Sequence, residues 1–382
     1  MPVLSPPGPT TRRDLILEDA FMRAHFRTVA VTSVLALVVV GWTFSRPAVS
    51  AQGQPPPAKI EPHPSTQEPA HKVDAEQLFK WEKELSNWGR WGAKDTRGAL
   101  NLITPAKTKA ALALAKEGVY ASLHHFPEMK TTVDNNNMNV EFKHWNTTVD
   151  PKTGKPRGAL DAITFAVHDG GHTHMDALCH YQVESSKGEG KTILTWNGDP
   201  QQLTPEGCKG PSVDNMGKAY VTRGILIDMP LLKGVKYLEP HTPIYPADLD
   251  AWEKFANIKI GSGDVVFVRT GRWAMRNEKG PWNAAREIAG LHASTLPWLK
   301  QRDISALSGE GVVDVQPSGT PWNRPIHSIS ITIMGVPMID NSYMEDVAAI
   351  ASRLKRWEFL LSWTLSQIPD GTASPFNGVA TF

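Results

Sequence analysis

The chain has 382 residues, and its 40 Lys and Arg against 39 Asp and Glu leave a formal net charge of +1. So even a balance gives no electrostatic footprint for nucleic acid, which is bound through clustered cationic charge. With only 2 Cys in the whole chain, a small disulfide-stapled scaffold is excluded as well.

Residues 1–52 read as a targeting segment. Arg23 and Arg27 precede an apolar run from Val29 to Phe44, and Ala48-Val49-Ser50-Ala51 offers small residues for cleavage. The expectation is an exported protein, periplasmic or secreted. An uncleaved inner-membrane anchor is the alternative, because the run is close to the shortest stretch that spans a bilayer. Residues 53–72, with Pro55-Pro56-Pro57, Pro62, Pro64 and Pro69, read as an extended or disordered linker. The remaining 73–382, roughly 300 residues, suffice for one large domain.

Asp74 to Asn87 has the pattern of a helix with Asp74 as N-cap and Leu78, Trp81 and Leu85 on one face. A turn-rich stretch from Gly89 to Gly98 leads to a second helix, capped by Thr104, begun by Pro105 and ended by Gly118. Residues 131–158, rich in Asn, Lys, Thr and Pro, read as a long surface loop, and Ile163 to Val167 as a short buried strand.

The segment 168–180 then carries His168, His172, His174, Asp176, Cys179 and His180. Imidazole and carboxylate are the ligands borderline divalent cations prefer, so ligand types this crowded point to a metal site. Gly170 and Gly171 would let backbone bend around an ion. On an extended backbone His174 and Asp176 point the same way, and on a helix Asp176 and His180 share a face. The chemistry has a common partner in either case.

Downstream, Ala219 to Met229, Gly263 to Gly271 and Ile304 to Ser308 read as strands, with helices at Pro246 to Asn257 and Ala293 to Arg302. Asp228 and Arg269 are able to pair. Ile329 to Met334 alternates as a strand, Tyr343 to Lys355 reads as a helix, and Glu358 to Ile368 as the final core strand. Several strands look buried on both faces, which suggests a mixed sheet or barrel with peripheral helices. Thirteen Trp favour aromatic packing, either in the core or around an apolar substrate.

The segment Thr173-His174-Met175-Asp176-Ala177-Leu178-Cys179-His180 resembles the signature of the cyclase-like metal-dependent hydrolases, the family that includes bacterial kynurenine formamidases and isatin hydrolases. Trp91, Asp95, Gly98, Asn101 and Thr104-Pro105 are similar to that family's N-terminal block, and the tail from Gly371 to Asn377 to its C-terminal signature. The resemblance implies a swivelling β/β/α cyclase-like α/β fold. It implies His174 and Asp176 as metal ligands, His180 as proton shuttle, and a first ligand at His168, with His172 as the competitor. His327 and Asp340 match positions that complete a two-metal site, although Asp340 stands where the family has Glu and could equally cap the following helix. Trp196 and Asn197 resemble a substrate-side element, or an ordinary turn built on Asn-Gly. Glu310 stands where relatives have Asp and receives no role. Cys179 and Cys208 could form one disulfide, yet Cys179 is read as a buried small residue, since relatives often carry Cys there.

The implied activity is hydrolysis of an amide, formamide or lactam C–N bond in a small aromatic substrate by one or two divalent ions, Zn or Mn. In it, His180 moves protons between water and leaving nitrogen. Lactone or ester hydrolysis on the same site, and an exported metal- or ligand-binding protein without catalysis, are the alternatives. A homodimer or larger homo-oligomer is expected by resemblance.

Overall fold

The computed structural model describes residues 60–135, 140–185, 192–199 and 203–382. The apolar run from Val29 to Phe44 and the cleavage stretch lie outside them. Within them no helix is long and apolar enough to cross a membrane.

The frame is a nine-stranded mixed sheet. Its strands in chain order are β1 (Tyr120–Ser122), β4 (His174–Asp176), β5 (Ala219–Asp228), β6 (Val265–Arg269), β7 (Ala306–Gly309), β8 (Met338–Asp340), β9 (Glu358–Thr364), β10 (Ala373–Pro375) and β11 (Val379–Thr381). A separate hairpin supplies β2 (Glu141–Val149) and β3 (Pro156–Thr164). Across the sheet the order is β1-β11-β9-β5-β6-β7-β8-β4-β10, with β5 through β8 parallel and the flanks antiparallel. The parallel centre follows from the chain: α3 (Pro246–Ala256) separates β5 from β6, and α5 (Leu296–Arg302) separates β6 from β7. Such crossovers cover the faces, and β6 and β7 are accordingly buried along their whole length.

Local chemistry sets the helices as expected. The Asp74 carboxylate accepts from Gln77 N at 2.9 Å to start α1 (Ala75–Glu84), whose Leu78 and Trp81 are buried. Thr104 Oγ1 accepts from Lys107 N at 3.2 Å to start α2 (Pro105–Leu112), which ends well before Gly118. Arg269 pairs with Asp228 at 2.9 Å and with Glu345 at 2.8 Å.

Five expectations are corrected. Residues 60–72 are not a free linker: Ser65 Oγ meets Tyr245 Oη at 2.7 Å, the His71 ring stacks on Tyr245 at 3.8 Å, and Thr66 is buried. Stacking and hydrogen bonds give the Pro-rich stretch a partner its composition does not reveal. Most of the expected 131–158 loop is instead the β2–β3 hairpin, and the expected buried strand 163–167 is the exposed end of β3 at Ile163 and Thr164 followed by residues outside any strand, with Phe142, Trp145, Leu160 and Ile163 all exposed. Ile329 to Met334 is not a strand but part of α6 (Ser328–Met334), a π-helix buried through Ile329–Met334, so period-two alternation had nothing to face. Glu358 to Thr364 is followed by β10 and β11, so it is not the last core strand.

Cys179 and Cys208 form a disulfide, closing a separation of 29 residues. Cys179 is therefore not a lone small residue, and the link ties the backbone next to His180 to a turn whose Cys208 N donates to Asp370 O at 2.8 Å. A loop of that length stabilises by about 3–4 kcal/mol, chiefly through the unfolded chain. Replacing both cysteines by alanine should lower unfolding free energy by about that amount. Denaturant unfolding of the variant beside the parent, with and without reductant, checks this: reductant should destabilise the parent alone.

Candidate metal centre

Sheet register brings the ligand types together. In β4 the residues alternate, so His174 and Asp176 project to one face while Met175 projects to the other. β8 pairs antiparallel with β4 so that Asp340 lies opposite His174, and β10 flanks β4 on its other edge with Ala373 opposite Asp176. Neighbours opposite each other share a face, which puts Asp340 beside His174 and Asp176.

Asp176 is the hub. Its Oδ1 faces His168 Nδ1 at 3.4 Å and His174 Nε2 at 3.7 Å, while Oδ2 faces His180 Nε2 at 3.8 Å and His327 Nε2 at 3.9 Å. Asp340 Oδ2 approaches His327 Nε2 at 3.3 Å. Two sets, His168 with Asp176 and His180, and Asp176 with His327 and Asp340, each place one ligand atom per residue within 4.8 Å of the others. Both Asp176 oxygens, His168 Nδ1 and Asp340 Oδ1 are buried with no hydrogen-bond partner. Buried polar atoms without partners are costly, and so many converging on one point fit a cation of the kind nitrogen and oxygen ligands hold.

The outer shell points the same way. His168 Nε2 bonds Thr372 Oγ1 at 2.9 Å, His174 Nδ1 lies 3.2 Å from the His172 carbonyl, and His327 Nδ1 bonds Asp314 Oδ2 at 2.6 Å. In each ring the far nitrogen is occupied and the near one is turned to the carboxylates, the arrangement that orients metal-binding histidines. His180 has no such partner among the described residues, and its side chain is 26% exposed. Its ring stacks on His168 at 3.9 Å. It is the least constrained of the four imidazoles.

Electrostatics follow from burial and neighbours. Burial alone would raise the Asp176 carboxyl, but the imidazoles of His180, His168 and His174 hold it well below the usual range. Burial pushes His174 down and His180 down to about 4, so both rings are neutral near pH 7. For His327, Asp340 and Asp314 outweigh burial and push it well up.

The competitor His172 is elsewhere: its Nδ1 lies 2.7 Å from Asp169 Oδ1 and its ring packs edge-on to Phe165. Asp340 is not a helix cap, since α7 (Glu345–Leu354) starts at Met344 with no side-chain cap. Gly170 is needed for a close approach rather than for a bend around an ion: a Cβ there would run into the carbonyl oxygen of Asp134. Trp196 and Asn197 do not line the cavity. Trp196 Nε1 donates to Asp95 O at 2.9 Å, and Asn197, at φ 64°, accepts from Gly89 N at 2.9 Å, so both hold the 89–95 turn in place. Glu310 also has a structural task, accepting from Thr270 N, Gly271 N and Arg272 N at 2.8, 2.6 and 3.1 Å where α4 (Arg272–Lys279) begins.

A cavity of about 230 Å³ opens beside the cluster, lined by His168, His174, His180, His327 and Asp340 together with Arg272 and Arg324. No Trp, Phe or Tyr is among its described lining; Trp196, Trp252 and Trp273 are core residues. Asp314, Thr372 and the two arginines were not read as site residues in the sequence, because each comes from a segment distant from 168–180, and the tail that holds Thr372 was noted only as a family-like signature. Arg272 supports the His168 loop, donating to Gly170 O at 2.7 Å and to Asn341 Oδ1 at 2.6 Å.

Comparison with known proteins places this arrangement. No curated protein matches the chain. A solved structure of a novel cyclase shares 25% identity with a TM-score of 0.66, over 79% of this chain and 99% of that one. Isatin hydrolase A from Ralstonia solanacearum is 18% identical, with a TM-score of 0.45 over 72% of this chain and 97% of that one. A potential metal-dependent hydrolase with cyclase activity is 15% identical, with a TM-score of 0.39 over 69% of this chain and 98% of that one. The Cyclase family model matches residues 122–313, half of the chain, including His168, His174, Asp176 and His180. The chain belongs to the Cyclase family.

Proposed function

We propose that this protein is a metal-dependent hydrolase that cleaves an amide, formamide or lactam C–N bond in a small substrate. The observation that carries the reading is the outward tethering of His168, His174 and His327, which leaves their near nitrogens turned to Asp176, the carboxylate shared by the groups His168–Asp176–His180 and Asp176–His327–Asp340. His168, His174 and Asp176 would hold the first ion, and His327 with Asp340 would add a second around the shared Asp176. A divalent cation held there supplies acidified water at neutral pH and polarises the scissile carbonyl.

The chain's own residues do the rest. Asp176 stays anionic and His174 neutral, the protonation states in which carboxylate and imidazole bind cations. His180, neutral near pH 7 and free of an outer tether, accepts a proton at Nε2 and returns it to the departing nitrogen. The Cys179–Cys208 link supports an exported protein, since disulfides persist in oxidising compartments.

A panel of matched amide, lactam and ester substrates tests the bond type. The reading expects the amides and lactams to be turned over with the higher kcat/KM. Preference for the esters would move the assignment to lactone or ester hydrolysis, and stoichiometric metal with no turnover of any member would make the protein a binding protein.

A further inference from the structure

Most buried and half-buried arginines among the described residues have their charge matched at contact. Arg269 meets Asp228 and Glu345, Arg276 meets Asp134 and Glu128, and Arg302 meets Asp250 and Glu253. Arg272 bonds Glu310 O, Asn341 Oδ1 and Gly170 O through its two terminal nitrogens and lies 3.5 Å from Asp134, although its Nε is buried with no partner. Arg324 is the cavity arginine with no carboxylate at ion-pair distance among the described residues. Of its five N–H donors, Nη1 alone has a protein acceptor, the Tyr181 hydroxyl at 3.2 Å, and Nε is buried with no partner. Asp314 and Asp340 raise its affinity for its proton only from further away, against burial, and both already serve His327.

Its position is fixed. The Arg324 carbonyl accepts from Ser328 N at 3.0 Å and from Ser328 Oγ at 2.9 Å, which anchors the backbone three residues before His327. Tyr181, its one partner, has its ring centroid 5.1 Å from His180 and 5.1 Å from His327. A guanidinium that lines the cavity together with His180 and His327 offers its unused N–H donors to a planar two-oxygen anion.

We infer that Arg324 is a specificity-determining residue that receives a carboxylate beside the cleavage point. This rests on the hydrolase reading for its substrate class. The carboxylate has two sources: one the substrate carries permanently, or the one that C–N hydrolysis generates. Two charge-assisted hydrogen bonds in a buried site make Arg324→Gln a loss of about 10- to 100-fold in carboxylate affinity.

The test uses the wild-type protein, Arg324→Gln and Arg324→Lys. Calorimetry with benzoate as probe, on protein as isolated and after chelation, reads anion binding independently of turnover. Benzoate should bind the wild type in both preparations, about 10- to 100-fold more weakly the Gln variant, and at an intermediate level the Lys variant. Kinetics with an anionic amide and its neutral carboxamide isostere then separate the sources. A permanent substrate carboxylate makes the anionic-to-neutral ratio of kcat/KM fall by that factor in the Gln variant. A product carboxylate leaves the ratio in place and weakens product inhibition instead. If the wild type and the Gln variant bind benzoate equally, Arg324 is an internal counter-charge for Asp314 and Asp340 and the inference is overturned. Should no amide be turned over by any variant, the hydrolase reading fails while the benzoate arm still decides the role of Arg324.

Discussion

Asn in place of Asp176 should leave the chain folded but unable to retain a divalent ion. The carboxylate is nearly fully buried, and each of its oxygens faces two imidazoles at 3.4–3.9 Å. Asn keeps the size and the strand pairing to β8 and β10, which runs through backbone groups, but removes the charge and replaces one acceptor oxygen with an NH2 donor that cannot bind a cation. Loss of a residue that merely orients a ligand weakens metal binding by about 10- to 100-fold, so loss of the shared carboxylate itself should exceed about 100-fold. Hydrolysis should disappear with the metal. Titration of Zn²⁺ and Mn²⁺ into the stripped variant, with circular dichroism to establish folding, measures it. A folded variant with wild-type affinity would remove Asp176 from the site.

His180→Ala has the opposite signature: the ion stays and turnover falls by about 10²- to 10⁴-fold, the range for a positioned acid or base. The reason is the asymmetry among the rings. His168, His174 and His327 are tethered on their far side and His180 is not. Burial holds His180 down to about 4, so it is a neutral proton acceptor at pH 7 and becomes protonated, and useless as a base, only as pH falls toward that value. The wild-type rate should therefore show no loss from this group between pH 8 and 6. Added imidazole should restore part of the variant's rate, because the removed ring was partly open to solvent. If the variant instead loses its ion, His180 is a ligand in the set with His168 and Asp176. Unchanged turnover would show that the proton moves elsewhere.

How much of this was legible depended on whether the information was local. His168, His174, Asp176 and His180 lie within one short segment, and the period of two along a strand was enough to aim His174 and Asp176 together. β6 was readable because a buried parallel strand is a continuous apolar run, and β5 because its first half alternates. The hairpin β2–β3 was not, since its exposed faces follow no inside-outside alternation. The Ile-Ser-Ile-Thr-Ile pattern of α6 misled because β-branched alternation is a strand signal, while the burial of Ile329 through Met334 removes any need for it. His172 and His168 were indistinguishable in sequence, and only Asp169 beside one and Thr372 beside the other separate them. Asp314, Thr372 and Arg324 arrive from far along the chain, so no spacing rule could have found them. The turn 196–198 carries a real structural task, bracing 89–95, that a family likeness had turned into a substrate contact.

The central claim is that these side chains bind a divalent ion and that hydrolysis depends on it. Elemental analysis of the purified chain before and after chelation, with turnover measured on the same samples, tests it most directly. The expected result is stoichiometric Zn or Mn that is lost together with activity, both returning when the ion is added back. A chain that carries no ion, or one that keeps its turnover once the ion is gone, would contradict it.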